Sequence, residues 1–268
     1  MSILEALFLG VLQGATEFLP ISSSGHLLLV PDLFNMTEPD LNLISIAHVG
    51  TLLAVLIYFR QDIWAIAAAI WQGVRERQLM GTTEARLGWF ILAGSIPAAA
   101  IGIPFADKFD TWVTPVAAAV ALYFTALFMV LGEQWLSGRK TLSSMGWADA
   151  LWIGVAQMVA LMPGISRSGA TITAGLWRGL DRGTAARYSF LLGIPAIAGA
   201  GLLAVVDLVQ AENWTAQLPA LFATFAAAAV TGYLCIHFLL SWLKRRSLYL
   251  FVGYCVFFAT VYLLVTLL

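Results

Sequence analysis

Two apolar stretches of this chain are interrupted near their middles by strings of Pro, Gly and Ser, and no other feature constrains the fold as much. Ile3 to Pro31 is broken by FLPISSSGH, and Ala148 to Trp177 by LMPGISRSG. Each flanking arm is too short to cross a hydrocarbon core of about 30 Å. Non-helical backbone at that depth survives only where protein surrounds it or it lines a cavity. Each stretch therefore reads as a re-entrant hairpin, two half-helices meeting at a tip.

Six further runs are long and apolar enough to span a bilayer: Leu43 to Phe59, Leu87 to Phe105, Val113 to Leu131, Ser189 to Val206, Leu218 to Leu240 and Tyr249 to Leu268. Composition agrees. The 268 residues are 60% hydrophobic and 11% charged, where roughly a quarter charged is usual for a soluble domain. Lipid is the solvent for most of this surface. The net charge of -1 argues against a nucleic-acid partner. Cys235 and Cys255 lie in apolar runs without metal-ligand spacing and read as small hydrophobes. The first apolar stretch has no basic leader and no small-residue cleavage site, so it is not expected to be a removable signal peptide.

The charges set an orientation. Twelve of the 14 basic residues fall in four places: Arg60 to Arg86, Arg139 and Lys140, Arg178 to Arg187, and Lys244 to Arg246. The opposite loops carry Asp32, Glu38 and Asp40, then Asp107, Lys108 and Asp110, then Asp207 and Glu212. The positive-inside rule makes the basic loops cytoplasmic. The chain then starts outside, the first hairpin enters and leaves from outside, and three spans end inside. The second hairpin enters and leaves from inside, and three more spans end outside. That is an inverted repeat, and the sequence carries a trace of it. GVLQGATEFLPISSSG from Gly10 aligns without gaps on GVAQMVALMPGISRSG from Gly154, with seven of 16 positions identical. The expected fold is an all-α polytopic membrane protein of one domain, 1–268. Repeat one spans 1–133 and repeat two 147–268, each a re-entrant hairpin plus three transmembrane helices. Folds of this kind place their site where the broken helices meet.

Only Lys108 and Arg167 escape the basic loops, and Arg167 lies in the second tip. Glu17 is the one acid well inside an apolar stretch, in the first hairpin. Charges at depth are costly and mark function. A structural ion pair would also account for both, but a hydrophobic pair would do that job more cheaply. Around Arg167, Ser166, Ser168, Gly169 and Thr171 open a half-helix with hydroxyls and backbone N–H groups, an arrangement that suits phosphate. Ordinary N-capping accounts for the serines taken singly. Around the first tip, Gln13 and Glu17 share a helix face as oxygen ligands for Mg2+ or Ca2+. Ser22, Ser23, Ser24, Gly25 and His26 follow, adding hydroxyls, N–H groups and an imidazole for nucleophilic or acid–base work. His48 and His237 are lone histidines on apolar helices and read as structural.

At these residues the chain resembles the undecaprenyl-diphosphate phosphatase family of bacteria, also called bacitracin-resistance proteins. Gln13 and Glu17 with FLPISSSGH match the family's acidic motif, and Pro163 to Gly169 match its PGxSRSG motif. His48 to Val55 and Asp181 to Ala196 resemble it too. The resemblance implies removal of the terminal phosphate of undecaprenyl diphosphate with a divalent cation, in recycling of the cell-wall lipid carrier. It implies essential roles for Glu17, Ser23, His26 and Arg167. Gln13 stands where many members have Glu, which removes a negative charge from the cation site, and Ser24 is often Thr. The expected location is the bacterial inner membrane with the site facing the periplasm. The nucleophile is Ser23, His26 or a water. The rival expectation is a transporter or flippase for a phosphate-bearing anion or lipid, since inverted repeats with broken helices are common there. The small residues Ala226 to Ala229 permit close packing within the chain or in a homodimer.

Overall fold

The computed structural model describes residues 2–34, 36, 41–112, 114–210 and 214–267. Glu38, Asp40, Val113, Glu212 and Leu268 lie outside the described residues, as do the side chains of Asp107, Lys108, Asp110 and Asp207. The described chain is helical: α1 (Ile3–Phe18), α2 (Ser23–Leu33), α3 (Leu41–Tyr58), α4 (Arg60–Arg75), α5 (Thr83–Trp112), α6 (Pro115–Gln134), α7 (Trp147–Val159), α8 (Arg167–Trp177), α9 (Arg182–Gln210), α10 (Leu218–Leu243) and α11 (Tyr249–Leu267). Six of these are long and apolar enough to cross a membrane: α3, α5, α6, α9, α10 and α11. They correspond to the six runs expected from the sequence.

The two interrupted stretches are each split into a pair of shorter helices. α1 and α2 have 16 and 11 residues, α7 and α8 have 13 and 11. At 1.5 Å per residue none exceeds about 24 Å. Local chemistry explains each start. Ser2 caps α1 in a capping box with Glu5, and Thr114 caps α6 ahead of Pro115. Ser22 and Ser166 cap α2 and α8 by accepting from the Gly25 and Gly169 N–H groups.

Packing follows one rule in both halves. α1 lies along α10 and α7 along α5. Gly10 makes the first approach possible, since a Cβ there would strike the Thr224 carbonyl of α10. Gly154, its partner in the alignment, sits in the same way on the Gly94 carbonyl of α5. The short helix α2 contacts α6 and α11, and α8 contacts α6 and α9. α8 is buried from Ser168 to Leu176.

One expectation is corrected. The segment from Arg60 to Arg86, expected as a basic loop, contains the helix α4. Ile66 and Ile70 press on α5 at Gly88, where a Cβ would meet Ile66 Cγ2 at 2.7 Å. Trp64 and Trp71 are 78% and 67% exposed on the outer face. The apolar period was present in IWAIAAAIW, but the flanking arginines masked it.

The basic ends are tied down by ion pairs. Lys140 and Arg178 share Asp149 at 3.0 and 2.7 Å. Arg182 pairs with Glu133, and Arg187 with Asp62.

Candidate active site

The two tips touch. The Gly164 N–H donates to Ser24 Oγ at 3.3 Å, and Ser168 Oγ donates to the Leu19 carbonyl at 3.1 Å. Close approach needs Gly164, whose φ of +92° favours glycine and whose Cβ would overlap Ala118 and Ala121 of α6. Ser22 also holds a left-handed φ of 71°, unusual for a residue with a side chain. The turn before α8 is braced by Thr125, which accepts from the Ser166 N–H at 3.0 Å and donates to the Gly164 carbonyl at 3.3 Å.

Glu17 stands at the centre. It is 8% exposed and accepts from three side chains. Arg167 Nη2 reaches Oε1 at 2.7 Å. Ser23 Oγ reaches Oε2 at 2.7 Å, and Gln13 Nε2 reaches the same oxygen at 3.0 Å. The gapless alignment pairs Ser23 with Arg167, so the two aligned segments deliver different chemistry to one carboxylate. Two polar atoms here are buried with no partner among the described residues: Arg167 Nη1 and Gln13 Oε1. Buried polar atoms left unpaired are costly, which is expected where a ligand completes the set. Ser24 is exposed at the edge of the cluster and Ser23 is half-buried.

The other expected site residues are placed as follows. Ser22, Gly25, Ser166 and Gly169 form the two helix caps, and Ser166 Oγ lies 3.1 Å from Ser168 Oγ. Thr171 is fully buried and turns into α9, with its hydroxyl 2.6 Å from Ser189 Oγ. His26 is 1% exposed and turns away from Glu17 toward α11. Its Nδ1 lies 2.8 Å from the Ser22 carbonyl, which can only accept, so Nδ1 carries the proton. Its Nε2 then accepts from the Tyr254 hydroxyl at 2.8 Å. The ring stacks on Phe258 with centroids 4.5 Å apart.

Two contributors escaped the sequence. Gly193 in α9 faces the guanidinium: a Cβ there would meet Arg167 Cζ at 2.7 Å and Nη2 at 3.2 Å, with Nη1 closer still. Tyr254 lies 228 residues from His26 in sequence. Neither belongs to a motif, and only the assembled packing reveals them.

Among the described residues no three His, Cys, Asp or Glu side chains gather to hold a metal ion. Gln13 Oε1 and the Glu17 carboxylate offer two hard oxygen donors, which fits a hard divalent cation that completes its shell with other oxygen ligands.

A family model described as Bacitracin resistance protein BacA matches residues 6–261. The chain belongs to the BacA family. It is 41% identical over 263 residues to an undecaprenyl-diphosphatase of Chlorobaculum tepidum, covering 95% of this chain and 93% of the relative. An undecaprenyl-diphosphatase of Thermomicrobium roseum is 44% identical over 274 residues, covering 99% and 98%. One of Myxococcus xanthus is 42% identical, covering 95% of this chain and 86% of the relative. Both Pro-, Gly- and Ser-rich breaks lie inside the matched region.

Proposed function

We propose that this BacA-family protein is an integral membrane phosphatase that hydrolyses undecaprenyl diphosphate to undecaprenyl phosphate and inorganic phosphate. The observation that carries the assignment is the convergence of Ser23 and Arg167 on Glu17, in a chain that aligns end to end with diphosphatases. Those relatives favour the phosphatase over the transporter reading. The re-entrant placement of the hairpins, the inverted repeat and a site open to the periplasm in the bacterial inner membrane belong to the same proposal. Their support is the short length of the four half-helices and the clustering of basic residues in the segments that follow α3, α6, α8 and α10.

Glu17 is placed to accept the Ser23 proton, since Oε2 already receives that hydroxyl at 2.7 Å. The Ser23 oxygen then attacks the terminal phosphorus. The bond from that phosphorus to the bridging oxygen breaks, and undecaprenyl phosphate leaves with the electron pair. Glu17 gives the Ser23 proton up to solvent, a water then attacks the serine phosphate and passes a proton to Glu17, and Glu17 returns it to the departing Ser23 oxygen. Arg167 holds Glu17 with Nη2 and keeps Nη1 for a phosphate oxygen, using both prongs of its fork. Positioning and charge neutralisation are most of what phosphoryl transfer requires. Gln13 and Glu17 would hold the divalent cation, which supplies positive charge against the diphosphate when bound. His26 has both ring nitrogens engaged elsewhere, and its role is to hold the Ser22 carbonyl and with it the first tip.

Phosphate release from undecaprenyl diphosphate by purified protein, with and without EDTA and beside Arg167→Ala, tests the assignment. Release that needs both the metal and Arg167 supports it. Release indifferent to both contradicts it. Cysteine placed at the exposed Ser24 tests the facing: labelling by an impermeant reagent from the cytoplasmic side alone would overturn a periplasmic site.

A further inference from the structure

We propose that the outer face of α4 binds the headgroups of anionic phospholipids, on the side of the membrane where α3 ends and α5 begins. α4 has 16 residues, about 24 Å, and is not among the six helices long and apolar enough to cross a membrane. It joins two that are. α3 ends at Tyr58, Phe59 is buried at the turn, α4 starts at Arg60 and α5 starts at Thr83. A connector that does not cross keeps the ends of both spans on one side, so α4 sits at one boundary between lipid and water. Other basic segments meet it there. Asp62 and Ile66 of α4 share a cavity with Thr141 after α6, Asp181 after α8 and Lys244 after α10.

Four side chains define the face. Arg60, Trp64, Trp71 and Arg75 follow one another at spacings of four, seven and four residues, which keeps them on one side of the helix. Ala67 and Ala68 lie between the indoles, and all six residues are exposed. The other sides of α4 are occupied. Ile66 and Ile70 press on Gly88 of α5, and Asp62 pairs with Arg187. Glu76, just past the helix, accepts from Gln72. The outward stripe therefore carries two indoles, two guanidiniums and no acid.

The chemistry of the stripe selects its occupant. Indoles settle at the membrane–water boundary, with the ring in lipid and the N–H among polar groups. A guanidinium takes two phosphate oxygens at once. Lys140 and Arg178 already share Asp149, Arg182 has Glu133 and Arg187 has Asp62. Arg60 and Arg75 meet no acid among the described residues. Arg60 Nη1 donates to the Ile57 carbonyl at 3.1 Å, and the Arg75 side chain makes no hydrogen bond to a described residue. A zwitterionic headgroup brings a cation with its phosphate, whereas an anionic one does not. An anionic surface strengthens binding by about fivefold for each Lys or Arg held near it. The two arginines lie about 22 Å apart along the helix axis, so each takes its own lipid.

The test is a lipid titration of the full-length protein in detergent micelles, read by thermal midpoint, with phosphatidylglycerol against phosphatidylcholine. Wild type should gain in midpoint with phosphatidylglycerol alone, and the gain should shrink at high salt. Arg60→Gln/Arg75→Gln should weaken the apparent affinity for phosphatidylglycerol roughly 25-fold, with an unchanged midpoint in lipid-free detergent. Arg139→Gln/Arg245→Gln removes the same charge from exposed positions off the stripe, and should leave that affinity within about twofold of wild type. Equal gains from the two lipids, a gain indifferent to salt, or equal losses from the two double variants overturn the assignment. So does a Trp64→Ser/Trp71→Ser protein that sediments at half the mass of wild type, since the face would then be a contact between two copies of the chain.

Discussion

Gly193→Ala should disable the site while leaving the fold intact, and the structure gives the size of the effect. The added methyl would lie 2.7 Å from Arg167 Cζ, with Nη1 nearer still, whereas carbon contacts are comfortable at about 3.5–4.0 Å. The obstructing group is the end of a flexible side chain, so the guanidinium yields and α9 does not. A shift of roughly 1 Å or more is needed to restore normal contact distances. It breaks the 2.7 Å bond to Glu17 Oε1 and displaces the unpartnered Nη1. The contact from Nη1 to a substrate phosphate oxygen that is lost with this shift, a hydrogen bond between charged groups, is worth about 1.5–3 kcal/mol, roughly 10- to 150-fold in rate. The assay is kcat/KM for phosphate release in detergent, beside the thermal midpoint of each preparation. The expected outcome is a loss within that range at a nearly unchanged midpoint. A Gly193→Ala protein keeping more than half of wild-type kcat/KM would refute the packing argument. So would one whose activity and midpoint collapse together.

Tyr254→Phe removes the donor to His26 Nε2 and leaves a buried acceptor unpaired, at a cost of about 1–3 kcal/mol. A lowered thermal midpoint in detergent is expected, and an unchanged one would show that the His26–Tyr254 link carries no weight. Asp149 supplies a pH test outside the six spans. Burial pushes its carboxyl up, but hydrogen bonds from Lys140, Arg178 and the Gly146 N–H outweigh burial and hold it below the ordinary 3.8. A depressed folded-state pKa stabilises the protein above that ordinary value, and the contribution is lost as pH falls through the folded one. Asp149→Asn should therefore lower the midpoint at neutral pH, and the gap to wild type should close at strongly acid pH. A gap that stays constant with pH would contradict the ion-pair explanation.

Much of this architecture was legible in the sequence because the bilayer makes polar residues conspicuous. Glu17 and Arg167 stood out as charges in apolar stretches, and the gapless alignment of the two hairpins put them at neighbouring tips. The structure joins them at 2.7 Å. The strings of Pro, Gly and Ser marked where α1 gives way to α2 and α7 to α8. What sequence could not supply was direction. His26 follows Ser23 by three residues, which suggested a shared task, yet the helix turns its ring to α11 while Ser23 faces Glu17. Thr171, grouped with the phosphate-binding hydroxyls by its motif, spends its hydroxyl on Ser189 and its own helix backbone. α4 was hidden by the charges that flank it. Gly193 showed no signal because a glycine in an apolar helix is common, and its use depends on a side chain 26 residues away in sequence.

The central claim is that the Glu17–Arg167 pair performs phosphoryl chemistry and is more than a staple between hairpins. The direct measurement is phosphate release from undecaprenyl diphosphate by wild-type protein and by the doubly neutral Glu17→Gln/Arg167→Gln variant. The double change removes both charges together, so neither is left buried alone. The account predicts release by wild type and none by the variant at a comparable thermal midpoint. Release by the folded double variant, or none from folded, lipid-supplied wild type, would contradict it.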